Sequence, residues 1–117
     1  MNQTLEDVAA LLWKENDLKQ IIPILKRGKD SYSNDFDDDL SASVFLECLS
    51  LSFHVASDNC KSDGFTELAN LLSRIDLNLR KLAKVSRRGV SEISVDLNNL
   101  IQNAREELTR QEVMRAY

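Results

Sequence analysis

Six apolar residues, Phe65, Leu68, Leu72, Ile75, Leu79 and Leu82, recur at spacings of 3-4-3-4-3. An α-helix turns once in about 3.6 residues, so this spacing gathers all six into one stripe, whereas a strand would divide them between two faces. Such a seam has to be covered, and in soluble proteins it is covered by other helices packed at a shallow angle. The segment 63–87 therefore predicts a helix inside a bundle. Three glycines and one proline in 117 residues agree, because an all-β fold needs far more turn formers. A chain of this length suits one domain with a real core.

The remaining segments read the same way. Thr4 is a plausible N-cap, followed by Glu6 and Asp7, and Leu5, Val8, Ala9 and Leu12 share one face. Leu18, Ile21, Ile22 and Leu25 form a second stripe, rotated by about 200° if one helix ran through both. A break at Asn16 and Asp17 explains the rotation, and Pro23 adds an irregularity. The expectation is two short helices, 4–15 and 18–27, or one kinked helix. Residues 29–39 have no periodicity and read as an acidic, solvated loop.

Segment 40–58 alternates like a strand from Leu49 to Val55, but a helix accounts for more of it. Val44, Phe45, Cys48, Leu49, Leu51, Phe53, Val55 and Ala56 then project to one broad apolar face. Ser43, Glu47, Ser50, His54 and Ser57 project to the other. A last helix starts after Gly89, with Ser91 as N-cap and Ile93, Leu97, Leu100, Ile101, Ala104 and Leu108 inward. Gly28, Gly64 and Gly89 fall at the block boundaries. The expected fold is all-α: a single domain, 1–117, forming an antiparallel four-helix bundle whose first helix is kinked or broken into two.

Charge narrows the function classes. Nineteen acidic and fifteen basic residues give −4, which argues against a dedicated double-stranded DNA binder and makes nucleic acid an unlikely partner. No stretch has the length of a membrane span, and the start MNQTLEDVAA lacks a basic n-region and an apolar h-region. Cys48 and Cys60 lie 12 residues apart, about 18 Å along a helix, too far to bridge. One histidine and two cysteines are too few for a zinc site. Reduced thiols, a cytoplasmic location and no cofactor are the expectation.

Two opposed charge clusters stand out. Asp30, Asp35, Asp37, Asp38 and Asp39 lack the glycine and closing glutamate of a calcium loop, which leaves Asp37, Asp38 and Asp39 as a patch for a basic partner. Arg80, Lys84, Arg87 and Arg88, with Arg74 and Lys81, gather toward the end of the heptad helix. There they suit the helix dipole, and they also offer a surface to an acidic protein or, with no aromatic residues interleaved to stack bases, less well to nucleic acid. Trp13 sits at the edge of the first stripe, where core packing competes with an interface role. Val113, Met114 and Tyr117 lie beyond the last stripe. No phosphate loop, nucleophile elbow or metal-ligand set is present, so no enzyme chemistry is expected. The expectation is a non-enzymatic protein-binding module (an adaptor, a chaperone-like factor or an inhibitor of immunity type). Its seam is compatible with an internal core or with a homodimer.

His54 supplies the alternative. It projects to the polar side of its helix, and Gly64, Leu68, Leu71, Ile75, Asp76, Leu79 and Arg80 follow at +10, +14, +17, +21, +22, +25 and +26. This pattern, over residues 45–80, resembles the histidine-phosphotransfer domains. The resemblance implies an exposed phosphoacceptor histidine, His54, on a four-helix bundle, or a degenerate relative that keeps the position and no longer transfers phosphate. That family has lysine and glycine at +3 and +4, where this chain has Ser57 and Asp58. Lysine would help to hold phosphoryl charge, whereas an aspartate repels it.

Overall fold

A computed structural model describes the backbone of residues 2–27 and 34–116. Within the helices, the side chains of residues 27, 34–41, 87 and 116 are not among those described. Five α-helices follow one another: α1 (Gln3–Leu12), α2 (Glu15–Arg27), α3 (Asn34–Ser62), α4 (Thr66–Lys84) and α5 (Val90–Ala116), with a single 3₁₀ turn, Arg87–Gly89, before the last. No strand occurs among the described residues. The short helices α1 and α2 form one bent arm, with a bend of 34°. The arm packs on α3 and α5, and α4 packs on α3 and α5 from the other side. The result is an antiparallel four-helix bundle in which the arm and α4 stand on opposite corners.

The α4 seam is buried along its whole length, from Phe65 to Leu82. Its partner on α3 is Ala42, Leu46, Leu49, Phe53, Ala56 and Cys60, spaced 4-3-4-3-4. Two heptad stripes running in opposite directions interdigitate, and this α3–α4 packing is the most extensive in the molecule. Leu5, Val8, Leu12 and Leu18 from the arm and Val90, Leu97, Leu100, Ile101, Ala104 and Leu108 from α5 complete one continuous core.

Several expectations need correction. The N-cap of α1 is Asn2, whose side-chain oxygen accepts from the Leu5 N–H at 3.2 Å, so Thr4 already lies within the helix. The arm breaks at Trp13 and Lys14 instead of Asn16 and Asp17. There the Lys14 and Asp17 N–H groups each reach back three residues, to the Leu11 and Lys14 carbonyls, instead of four. That tightening re-phases the stripe and leaves the Leu12 carbonyl free for another donor. Pro23 does not end α2; both it and Lys19, whose carbonyl loses a donor, are on exposed positions where water can serve. Residues 34–39 are helical instead of looped, because aspartates in the opening turns of a helix suit its positive end. Ser91 also lies inside its helix, which starts at Val90.

The two described boundary glycines have specific roles. Gly64 has φ +85°, the left-handed region that L-residues avoid. The Gly64 N–H reaches the Lys61 carbonyl and the Phe65 N–H the Cys60 carbonyl, a Schellman end to α3 that turns Phe65 into the core. At Gly89 a Cβ would stand 2.4 Å from Val85 Cγ2, so the 3₁₀ turn admits no side chain there without moving a stiff valine. Gly28 lies outside the described residues.

Candidate functional site

A cleft of about 360 Å³ opens on the outer surface between α3 and α4. Glu47, Ser50, Leu51 and His54 line it from α3, and Asp76, Arg80, Ala83 and Lys84 from α4. Its floor is Asp76, 2% exposed. A buried carboxylate costs several kcal/mol unless partners replace its water, and Asp76 has three. The Ser50 hydroxyl donates to Oδ1, the Arg80 guanidinium donates to Oδ2 at 2.9 Å, and Nδ1 of His54 stands 3.6 Å from Oδ2.

Helical register brings these groups together. Asp76 and Arg80 are four apart on α4, and Ser50 and His54 four apart on α3, so each pair stacks on one face and the two faces meet across the groove. Ser57 fixes the same stretch by donating to the Ala69 carbonyl at 2.7 Å. The imidazole itself is more than half exposed, and its Nε2 faces outward, 3.6 Å from the Asp58 carboxylate.

The chemistry available is that of one imidazole. His54 is the only histidine in the chain, and among its side chains the imidazole is the ordinary nucleophile and base near neutral pH. Ser50 is no nucleophile in this arrangement: its hydroxyl is committed to Asp76, with the carboxylate standing between serine and imidazole, so no serine–histidine relay forms. Asp76 is instead placed to orient the ring through Nδ1. Arg80 and Lys84 supply positive charge on the α4 side of the cleft, and Glu47 and Asp58 negative charge on the α3 side. Among the described residues no group of three histidine, cysteine or carboxylate side chains is disposed to hold a metal ion.

The other anticipated residues lie elsewhere. Trp13 is 72% exposed at the arm's break, so it is not a core residue: the tightened turn swings it out over a shallow cleft formed with Ala9, Leu12, Arg105, Leu108 and Thr109. Arg88 is exposed beyond the end of α4. The side chains of Asp37, Asp38, Asp39 and Arg87 lie outside the described residues, as do Asp30 and Tyr117 entirely. Val113 and Met114 are exposed.

The α3 projection is overturned on both faces. Val44, Leu51 and Val55 point to solvent, Cys48 is exposed and Ser50 is buried. The covered stripe is the one centred on Leu46, Leu49 and Phe53, and Asp76 draws the Ser50 hydroxyl inward. Glu15 and Glu107 are two further buried carboxylates, away from the cleft and paired with Arg105 and Arg110. The available signal for Asp76 was its place directly after the seam residue Ile75, one helical turn before an arginine. Burial also pushes the Cys60 thiol up to about 11, with the nearby Asp63 carboxylate adding to the shift.

The fold and cleft define a small helical bundle that carries one carboxylate-oriented surface histidine. No family model matches the chain, and neither a curated protein nor a solved structure matches it.

Proposed function

We propose that the chain is a small protein-binding module, an adaptor or regulator that acts through its helical surfaces, with the outer side of α3 and the adjoining α3/α4 cleft as its docking face. One observation carries the reading: α3 is apolar on two sides. One side is the covered seam; the other exposes Val44, Leu51 and Val55, at 52%, 64% and 50%, beside the polar cleft. An apolar line flanked by charge is the usual composition of a protein interface, an apolar centre with a polar rim. A photo-crosslinking residue at Leu51 is expected to give one discrete adduct in host cells, weakened by Arg80→Glu. The same probe at Val95, exposed on α5, should not give it. Indistinguishable labelling from both positions would sink the assignment.

The second reading takes His54 as a phosphoryl acceptor, as the resemblance to histidine-phosphotransfer domains implies. The geometry favouring it is an imidazole with Nδ1 toward a buried carboxylate, Nε2 outward, and Arg80 and Lys84 on the cleft wall. With the Asp76 carboxylate 3.6 Å from Nδ1, the Nδ1–H tautomer would leave the Nε2 lone pair for attack, and the carboxylate would stabilise the imidazolium that results.

A further inference from the structure

Nε2 of His54 is outward but not open. Asp58, one helical turn along α3, holds its carboxylate 3.6 Å from that nitrogen, on the side from which an electrophile would come. Both side chains are well exposed, at 58% and 69%. An exposed i,i+4 pair of this kind contributes only a few tenths of a kcal/mol to a helix. Folding therefore does not require Asp58, whereas the electrostatics at Nε2 change with it directly.

We propose that Asp58 sets the charge specificity of the His54 site by turning phosphoryl donors away from Nε2. The inference rests on the reading of His54 as a nucleophile and adds what regulates it. Phosphoryl donors approach as anions. A carboxylate about 4 Å from the attacked position opposes even a single negative charge by a factor of about five in water. The cations that would offset this, Arg80 and Lys84, belong to the opposite wall, and Arg80 is bound to Asp76. The acidic groups near the ring are Asp58 and Asp76 on its two nitrogens and Glu47 on the cleft wall. Of these, Asp76 lies beneath the ring, where it can stabilise a charged imidazole, and only Asp58 stands at the nitrogen that would attack. The site is thus built as an acceptor and closed by its own helix. A partner that contributes a cation to Asp58 would open it.

The test uses the full-length protein and phosphoramidate, a small phosphoryl donor. In the reaction the Nε2–P bond forms as the donor's P–N bond breaks; ammonia departs, and the ring keeps its Nδ1 proton toward Asp76. Labelling at His54 is followed by mass spectrometry and by the phosphorus resonance of the Nε2 phosphoramide. Asp58→Asn is expected to label about fivefold faster than the native protein. Asp58→Glu should remain slow, and Asp58→Asn combined with His54→Gln should give no signal at this site. Equal rates for the native protein and Asp58→Asn, with label on His54, would overturn the gate and leave the acceptor standing. Absence of label on His54 in every variant would overturn the acceptor reading and the gate together. Circular dichroism of Asp58→Asn should be unchanged, because the residue is exposed.

Discussion

Asp76 and Glu15 are both buried carboxylates, each paired with an arginine partly in solvent, yet they serve different ends. Glu15 opens α2. Its partner Arg105, on α5, approaches within 2.7 Å of the carboxylate and donates to the Leu12 carbonyl at 3.0 Å. That carbonyl is the one left without a helical donor by the break at Trp13 and Lys14. The cluster is a staple: one guanidinium closes the end of α1, neutralises the start of α2 and ties both to α5. Asp76 instead lies in an unbroken helix that needs no staple. Its neighbours are a serine, an arginine of the same helix and an imidazole that reaches the surface. The same pairing repairs a fold at one corner of the bundle and lies under a surface imidazole at another.

Removing each arginine separates the staple from the site. Arg105→Ala strips the staple from a buried carboxylate and exposes a helix end, and is expected to cost about 2–3 kcal/mol. That figure is reduced from the full loss for a buried pair because the Arg105 side chain is 39% exposed. Arg80→Ala leaves Asp76 with Ser50 and His54 and breaks no helix end, and should cost about 1 kcal/mol, Arg80 being 53% exposed. Urea unfolding of the two variants decides the point, and equal losses would end the distinction between staple and site.

The two cysteines sharpen the contrast within α3. Cys60 lies in the covered seam near the Schellman turn, with its pKa raised from 9.0 to about 11, and Cys48 is exposed. A raised folded-state pKa means that folding favours the thiol. This contribution is fully present below pH 9 and is lost as pH rises through 11, by about 2–3 kcal/mol at most. Cys60→Ala should flatten that part of the stability–pH curve. At neutral pH a disulfide reagent should modify Cys48 promptly and Cys60 only as α3 and α4 separate. Equal modification rates would show that the α3–α4 seam opens as readily as a surface does.

The smallest effects belong to the exposed apolar residues. Trp13→Ala and Leu51→Ser are expected to change stability by no more than about 0.5 kcal/mol, since neither fills the core. A loss above about 2 kcal/mol by thermal unfolding would return either one to the core.

Much of the architecture was legible from spacing. The α4 and α5 stripes are inward as the periodicity required, and the rotation between the stripes of the arm correctly demanded a break. The exact place of that break was not legible, because Asn16 and Asp17 look like capping residues while the real stop depends on Arg105, 93 residues beyond Leu12. In the candidate site, His54, Arg80 and Lys84 were recognisable, whereas Ser50 and Asp76 were not seen as its floor. Each is an ordinary polar residue next to a seam position, and only the meeting of α3 with α4 makes the two a pair. Trp13 looked like core for the same reason in reverse.

Apolar spacing alone required that this chain form helices with stripes and placed most of their inward faces, because a 3.6-residue repeat in apolar side chains has one favourable solution in water. One broad projected face did not separate the two sides of α3. That helix carries two apolar stripes, 42-46-49-53-56-60 and 44-51-55, and although only the first has the full heptad spacing, the broad face merged the two. The tertiary structure decided, because α4 brings a heptad seam that fits the first stripe, and Asp76 beside that seam holds Ser50 inward and His54 at the rim.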